Sequence, residues 1–284
     1  DEEVRGTLFL LQAVAPDLAD VQHRGFCFLA ASHGGGDFQT EDEARHPWRG
    51  GIAGLLKTAA KEWPQARFRA VDFDDLPTAE ELTRELAADG PAEIGYRGGQ
   101  RLALKIDLVD APPSVDATTS PWNGGVVLIT GGARGITARV AEEIARQKPC
   151  RFVLVGRSPA PAEQEPTWSE SAADLPSMRR AAATHLQQTG RPVAPREVES
   201  LARGALADRE VRRSLATLRS VGAEVTYLSC DVRDAEGFAA LLADVRKRLG
   251  PIESVIHGAG IIEDRLIVDK AADSFGRVLG TKLD

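Results

Sequence analysis

Three glycines and an arginine stand together in Thr130-Gly131-Gly132-Ala133-Arg134-Gly135-Ile136-Thr137, directly after the apolar run 126–129. Glycines let a backbone come close to an anion, and a helix start offers unpaired N–H donors and the positive end of a dipole. A strand passing through such a turn into a helix makes a phosphate cradle. A glycine-rich turn alone is weak evidence, because a tight turn without a ligand has the same composition. The last glycine of the usual pattern is replaced by Thr137, which is tolerable if the helix stands slightly off the strand.

The next groups with chemical potential fall at the ends of other short β-rich runs. Gly156-Arg157-Ser158 closes the run 152–156. Sheets that bind NAD hold an acidic residue there for the ribose 2′-hydroxyl. This sequence has Arg157 instead, with Arg134 in the preceding turn. Two guanidiniums suit a 2′-phosphate and favour NADPH over NADH; a surface arginine on a strand end is the alternative. Cys230-Asp231-Val232 follows the third run, and His257-Gly258-Ala259-Gly260 the fourth. His257, at a strand end, reads as a structural hydrogen-bond partner rather than an acid–base group. Cys27, Cys150 and Cys230 are far apart and form neither a CxxC pair nor a zinc spacing. We expect no metal site and a reducing, cytoplasmic setting.

Groups at four strand ends need one sheet to hold them. The runs 126–130, 152–156, 224–229 and 254–257 alternate with helical patterns. That rhythm predicts an α/β fold with a Rossmann-like doubly wound parallel sheet. In the first of these helices Ile136, Val140 and Ile144 share a face. In the last Phe238, Leu241, Leu242 and Val245 do, and Gly250-Pro251 closes it. The segment 159–220 exceeds what a crossover needs and is rich in Ala, Glu and Arg. It reads as an insertion of several helices outside the sheet, either a solvated helical pair or a partner-binding element.

Ahead of this sheet, Val4, Leu8, Leu11 and Ala15 predict an amphipathic helix over 4–15, ended by Pro16. A buried strand over 26–31 enters the loop Ser32-His33-Gly34-Gly35-Gly36-Asp37-Phe38. A helix over 50–62 and a strand over 68–73 follow. Thr78 and Glu81 make a capping box for a helix carrying Leu82 and Leu86. A hairpin over 94–106 turns at Gly98-Gly99. Residues 111–125, rich in Pro, Ser, Thr and Gly, form the linker. The expected domains are 1–115 and 116–284, with the helical insertion at about 159–220.

The 284 residues suffice for about two domains on a prior of roughly 150 each. Thirty-five basic residues are scattered among 42 acidic ones, for a net charge of −7 without a basic stripe, which argues against nucleic acid. No apolar run approaches the ~18 residues of a membrane span, and there is no signal peptide. The chain opens on Asp-Glu-Glu-Val-Arg-Gly without Met and reads as a piece of something longer.

Taken in order on successive strands, TGGxxGI, GRS, DV and HGAG resemble the short-chain dehydrogenase/reductase superfamily. More narrowly, they are similar to the ketoreductase domain of type I polyketide synthases and polyunsaturated-fatty-acid synthases, where HxAG replaces NNAG. In those domains a degenerate, non-catalytic Rossmann-like subdomain precedes the catalytic one. GGIAGLLKTAAKEWP, RFRAVDFDD and IGYRGGQRLALKI resemble the end of that structural half, so the likeness covers nearly the whole chain except 159–220.

The resemblance implies NADPH-dependent reduction of a β-ketoacyl thioester, delivered by an acyl carrier protein, to a β-hydroxyacyl group beside other synthase domains. It assigns Gly131, Gly132, Ala133, Arg134, Gly135 and Ile136 to the pyrophosphate, and Gly156, Arg157 and Ser158 to the 2′-phosphate. Asp231 and Val232 border the adenine. Gly258, Ala259 and Gly260 pass beneath the ribose and nicotinamide. Lys282 matches the lysine that tunes the catalytic tyrosine and binds ribose; a surface helix lysine is its bland reading. The matching Ser and Tyr are absent, and Tyr96 and Tyr227, the two tyrosines, lie on predicted strands. The chain alone is therefore expected to be inactive. Ile262-Glu263-Asp264 stands where many relatives carry Leu-Asp-Asp, a motif accompanying the D alcohol. The competing readings are a catalytically silent structural domain of a synthase and a free-standing reductase. The preceding half-domain and the missing Met count against the latter.

Overall fold

A computed structural model describes residues 2–19, 25–38, 50–108, 124–148 and 150–283. The predicted linker lies almost wholly outside them. The chain forms two compact units, one of Asp1–Ala111 with Ile261–Leu283, the other of Pro112–Gly260 with Asp284. Among the described residues no helix is long and apolar enough to cross a membrane.

The first unit begins with α1 (Glu2–Ala19), β1 (Cys27–Ser32), α2 (Gly50–Glu62) and β2 (Arg67–Phe73). It continues with α3 (Ala79–Ala87), β3 (Glu93–Arg97) and β4 (Gln100–Ala103). The sheet order is β1-β2-β3-β4, parallel except for the β3–β4 hairpin. Leu8, Leu11, Leu56 and Phe68 build the core on one face, and Phe73, Ile94 and Tyr96 that on the other. The capping box at Thr78 and Glu81 forms as expected. The expected end of the first helix at Pro16 does not hold. Pro16 lacks the N–H for its ladder bond, but α1 runs one turn further because Leu18 is fully buried against the core.

Two carboxylates organise this unit. Asp72, on β2 and buried, accepts from Ser32 Oγ (2.7 Å) and from the N–H groups of Gly34 (2.7 Å), Gly36 (2.9 Å) and Phe38 (3.0 Å). The loop can fold onto it because Gly36 sits at φ +79°, where a Cβ would stand 2.6 Å from the Tyr96 carbonyl carbon. Glu85, on α3 and with no exposed surface, accepts from Arg69 Nη1 (2.7 Å), Arg101 Nε (2.6 Å) and the Tyr96 hydroxyl (2.7 Å). Burial pushes its carboxyl up, but these donors outweigh burial and hold it at about 2.

The second unit runs β5 (Val126–Thr130), α4 (Gly135–Gln147), β6 (Arg151–Gly156), α5 (Thr167–Glu170), α6 (Leu175–Gln188) and α7 (Pro195–Ser220). It ends with β7 (Glu224–Ser229), α8 (Ala235–Leu249) and β8 (Ile252–His257). All strands are parallel in the order β7-β6-β5-β8. Because β5 is first in sequence, the chain direction across the sheet reverses between β5 and β8. Val127, Ile129, Phe152 and Leu154 face α4 and α7, while Val126, Leu128, Val153 and Val155 face α8. This is a doubly wound, Rossmann-like sheet.

The predicted face of α4 is corrected. Ile136 is 84% and Val140 39% exposed, and the helix instead buries Ala138, Ala141 and Ala145. Ala141 and Ala145 join the core built by β5, β6 and α7, so the alanine stripe packs and the larger residues turn out. Only Ile144 of the expected three joins the core. Between β6 and β7, α5, α6 and the first half of α7 share a small core around Met178, Ala182 and Ala202. The second half of α7 lies on the sheet through Val211, Leu215 and Leu218.

The returning segment 261–283 of the first unit carries a 3₁₀ turn, Ile267–Asp269, and α9 (Ala272–Leu283). Ile267 is buried in the core beside Leu8 and Leu11. Gln12 Nε2 donates to the carbonyls of Ile267 (2.8 Å) and Lys270 (2.9 Å), and Ile267 N–H donates to Glu62 (2.8 Å).

Candidate functional site

The residues predicted from the four strand ends gather at the carboxyl edge of one sheet. Parallel pairing puts Thr130 beside Val155 and His257, and Gly156 beside Ser229. The ends of β5, β6, β7 and β8 are thus level, and the loops leaving them share one rim. In such sheets the crevice at the reversal point is where ligands bind.

At that reversal the glycine turn is held from both sides. Gly131 N–H donates to Val155 O (2.7 Å), and Gly258 N–H donates to Thr130 O (2.9 Å). Gly131 sits at φ +68°, and a Cβ there would meet Gly258 O at 2.7 Å. Gly132 is hemmed by Ile129 and Leu154, so the turn has no room for side chains on its inner side. Thr130, buried, was not singled out in the sequence, yet its Oγ1 bonds His257 Nδ1 (2.8 Å) and accepts from Ala259 N–H (3.2 Å). His257 makes a structural hydrogen bond there.

Thr137 is also accounted for by what stands across from it. It lies in the first turn of α4, and its side chain fills the space over Gly258. A Cβ on Gly258 would overlap Thr137 Oγ1 and stand 2.6 Å from Cγ2. The missing glycine of the turn is therefore supplied 121 residues later, by the glycine after His257 (258 − 137). The ladder of α4 begins with Ala138 N–H donating to Arg134 O (3.3 Å), which leaves the N–H groups of Gly135, Ile136 and Thr137 ahead of it. Gly135, at φ +59°, has open space where a Cβ would be.

An anion already meets this end of the helix. Glu210, on α7, accepts from Gly135 N–H (2.7 Å) through one oxygen and from Arg134 Nε (3.1 Å) through the other. Burial raises the Glu210 carboxyl, but the Gly135 N–H and Arg134 prevail and hold it below the usual carboxylate range. The turn accepts an oxyanion with backbone and guanidinium donors together, as a phosphate cradle requires. Nothing local in the sequence pointed to Glu210, which lies 75 residues from its backbone partner.

At the end of β6, Arg157 and Ser158 are exposed, and their backbone is tied to β7. Tyr227 Oη donates to Ser158 O (3.0 Å) and Ser229 Oγ to Arg157 O (3.0 Å). Gly156 has no side chain because the Tyr227 ring lies over it, with Cζ 3.1 Å from a Cβ position. Asp231 is gripped by Arg233 through Nε (3.1 Å) and Nη2 (2.8 Å). That pair, with lesser help from Arg157, holds the Asp231 carboxyl at about 2. Val232 follows Asp231, and Ala259 and Gly260 follow Gly258, all on the same rim.

Lys282 belongs to the other compact unit, where it is exposed near the end of α9. Glu263, in the segment likened to Leu-Asp-Asp, is fixed by Arg277 through Nε (3.1 Å) and Nη2 (2.7 Å), which holds its carboxyl at about 2. The oxyanion seat on Gly135 and the open space beside it fit the phosphates of a dinucleotide.

Fold and rim together define a Rossmann-like domain with a glycine turn at its reversal point. Comparison with known proteins narrows this class. A family model described as the KR domain matches residues 125–284. The chain belongs to the KR family, the ketoreductase domains of polyketide and polyunsaturated-fatty-acid synthases. A polyunsaturated fatty acid synthase of Thraustochytrium sp. is 32% identical over 254 residues, covering 83% of this chain and 9% of that protein. Polyketide synthase PksN of Bacillus subtilis is 26% identical over 249 residues, covering 86% of this chain and 4% of that protein. The solved structure of an A1-type ketoreductase is 26% identical with a TM-score of 0.65, over 98% of this chain and 48% of that one. The chain thus spans less than a tenth of these curated relatives and about half of the solved chain.

Proposed function

We propose that the rim of the second unit binds NADPH, and that the protein containing this chain reduces a β-ketoacyl thioester on an acyl carrier protein to the β-hydroxyacyl form. The names of the relatives, a polyunsaturated fatty acid synthase and a polyketide synthase, support an acyl-chain substrate and further synthase domains as partners. A cytoplasmic setting belongs to the same reading.

The observation that carries the cofactor assignment is the oxyanion seat, in which Gly135 N–H and Arg134 already hold a carboxylate. On this reading Gly131 to Ile136 hold the pyrophosphate, and Gly156, Arg157 and Ser158 the 2′-phosphate. Asp231 and Val232 border the adenine, and Gly258, Ala259 and Gly260 line the ribose and nicotinamide side. The bound cofactor supplies hydride to the keto carbon. Lys282 is the residue assigned to tuning the proton donor and binding ribose. Neither tyrosine serves as that donor, since Tyr96 is buried on Glu85 and Tyr227 is committed to Ser158.

Titration with NADPH and NADH, followed by nicotinamide fluorescence, tests the assignment. NADPH is expected to saturate at least about tenfold below NADH, and Arg157→Ala to narrow the gap by removing a charge-assisted contact of about 1.5–3 kcal/mol. Equal affinity for both cofactors refutes it, and so does the absence of a saturable signal at millimolar NADPH both in this chain and in a Glu210→Ala variant. A catalytically silent structural domain is the second reading, and the carboxylate of Glu210 in the seat favours it; absence of any binding would decide for it.

A further inference from the structure

Glu210 is the one acidic group that reaches the donors of the glycine turn from elsewhere in the second unit, among the described residues. Its position follows from the packing of α7. Val211, Leu215 and Leu218 bury their side of the helix on the sheet and fix its rotation, which turns Glu210 toward the start of α4. One carboxylate oxygen then takes the Gly135 N–H at 2.7 Å and the other the Arg134 guanidinium at 3.1 Å. A backbone N–H pointed at one carboxylate oxygen cannot also serve a phosphate oxygen. Two anions within a few ångströms repel each other, most strongly where water is partly excluded. The Glu210 side chain is nevertheless 43% exposed, and that of Arg134 56%, so the carboxylate has a path into solvent.

We propose that Glu210 is a displaceable carboxylate that occupies the pyrophosphate seat at Gly135 and Arg134, so that dinucleotide binding requires its release. The long β6–β7 crossover thereby sets cofactor affinity. This rests on the cofactor reading above. These helices carry a competitor for the ligand, held in place by the same sheet face that the strand ends belong to.

Three variants of the chain, titrated with NADPH by nicotinamide fluorescence, test this. Glu210→Ala empties the seat, and Glu210→Gln keeps an acceptor but removes the charge. Both are expected to bind about three- to thirtyfold more tightly than the unaltered chain, with Ala at least equal to Gln, as loss of a helix-terminus charge contact and a half-exposed ion pair predicts. Glu199→Gln is the control on the same helix. It breaks the contacts to Arg179 and Arg203 and is expected to leave affinity unchanged. Unchanged or weaker binding in both Glu210 variants overturns the proposal, and so does an equal gain in Glu199→Gln. Absence of binding in every protein, Glu210→Ala included, overturns the cofactor reading and this proposal with it.

Discussion

Gly258→Ala puts the pairing of Thr137 with Gly258 to a quantitative test. The added methyl would overlap Thr137 Oγ1 and lie 2.6 Å from Cγ2, whereas carbon atoms pack at about 3.5–4.0 Å. A displacement of about 1 Å is therefore needed. Neither side yields easily. Thr137 is β-branched and in the first turn of α4, which limits its rotamers. Gly258 is tied by its N–H to Thr130 O at 2.9 Å, and its carbonyl borders the Gly131 turn. Overpacking of this kind costs about 1–3 kcal/mol. Thr137→Gly alone costs well under about 1 kcal/mol in helix propensity. It also opens the space the methyl needs. Urea unfolding of the four proteins of the cycle should thus show Gly258→Ala costing about 2 kcal/mol with Thr137 present and little in the Thr137→Gly background. The coupling should fall within the 0.5–3 kcal/mol found for residues in contact. Equal costs of Gly258→Ala in both backgrounds would refute the idea that the glycine of the turn has been moved to the end of β8.

Two carboxylates of the first unit yield further predictions. Glu85→Gln should destabilise that unit by about 3 kcal/mol, because Arg69, itself buried, loses its counter-charge; an unshifted urea midpoint would contradict this. The folded carboxyl, at about 2, lies below its ordinary 4.5. The stabilisation is therefore complete above about pH 4.5 and is lost as pH falls toward 2, and the Glu85→Gln protein should not share that loss. Asp72→Ala strands three backbone N–H groups and the Ser32 hydroxyl. At about 1–3 kcal/mol for a buried donor such as the Gly36 N–H, and less for the three part-buried ones, a loss of about 2 kcal/mol or more is expected, visible as early loss of amide protection at Gly34 and Gly36 by hydrogen exchange. Protection equal to that of the parent would count against Asp72 as the organiser of the loop.

What was legible in the sequence was local. The helix Gly50–Glu62 and the strand Glu224–Ser229 carry their periodicity and their stops within their own residues. The Thr78–Glu81 box is complete within one turn. The strand-end motifs were legible because each lies within a few residues of a β-rich run, and parallel pairing brings such ends level. What escaped was set by distant partners. Leu18 carries α1 past Pro16 only because a core lies beneath it. Ile136 and Val140 look like the buried face of α4 until the sheet selects the alanines. Thr137 looks like a blemish until Gly258 is found across from it. Glu210 has no signature at all, since its role depends on the rotation of a helix fixed by Val211, Leu215 and Leu218.

The first unit is interrupted in sequence, and this bears on how it is made. Its core takes Ile267 between α1 and α2, yet the residue arrives 164 positions after β4 ends (267 − 103). At about 5–20 residues per second, a ribosome needs on the order of ten to thirty seconds to bridge that interval. Through that time α1 has no Ile267 beneath it, and Gln12 lacks the two carbonyls that it finally caps. The second unit, by contrast, has all its strands within Val126–His257 and can close first. Nascent-chain folding should therefore run inside out, with the later-synthesised sheet complete while the earlier one waits for its last turn.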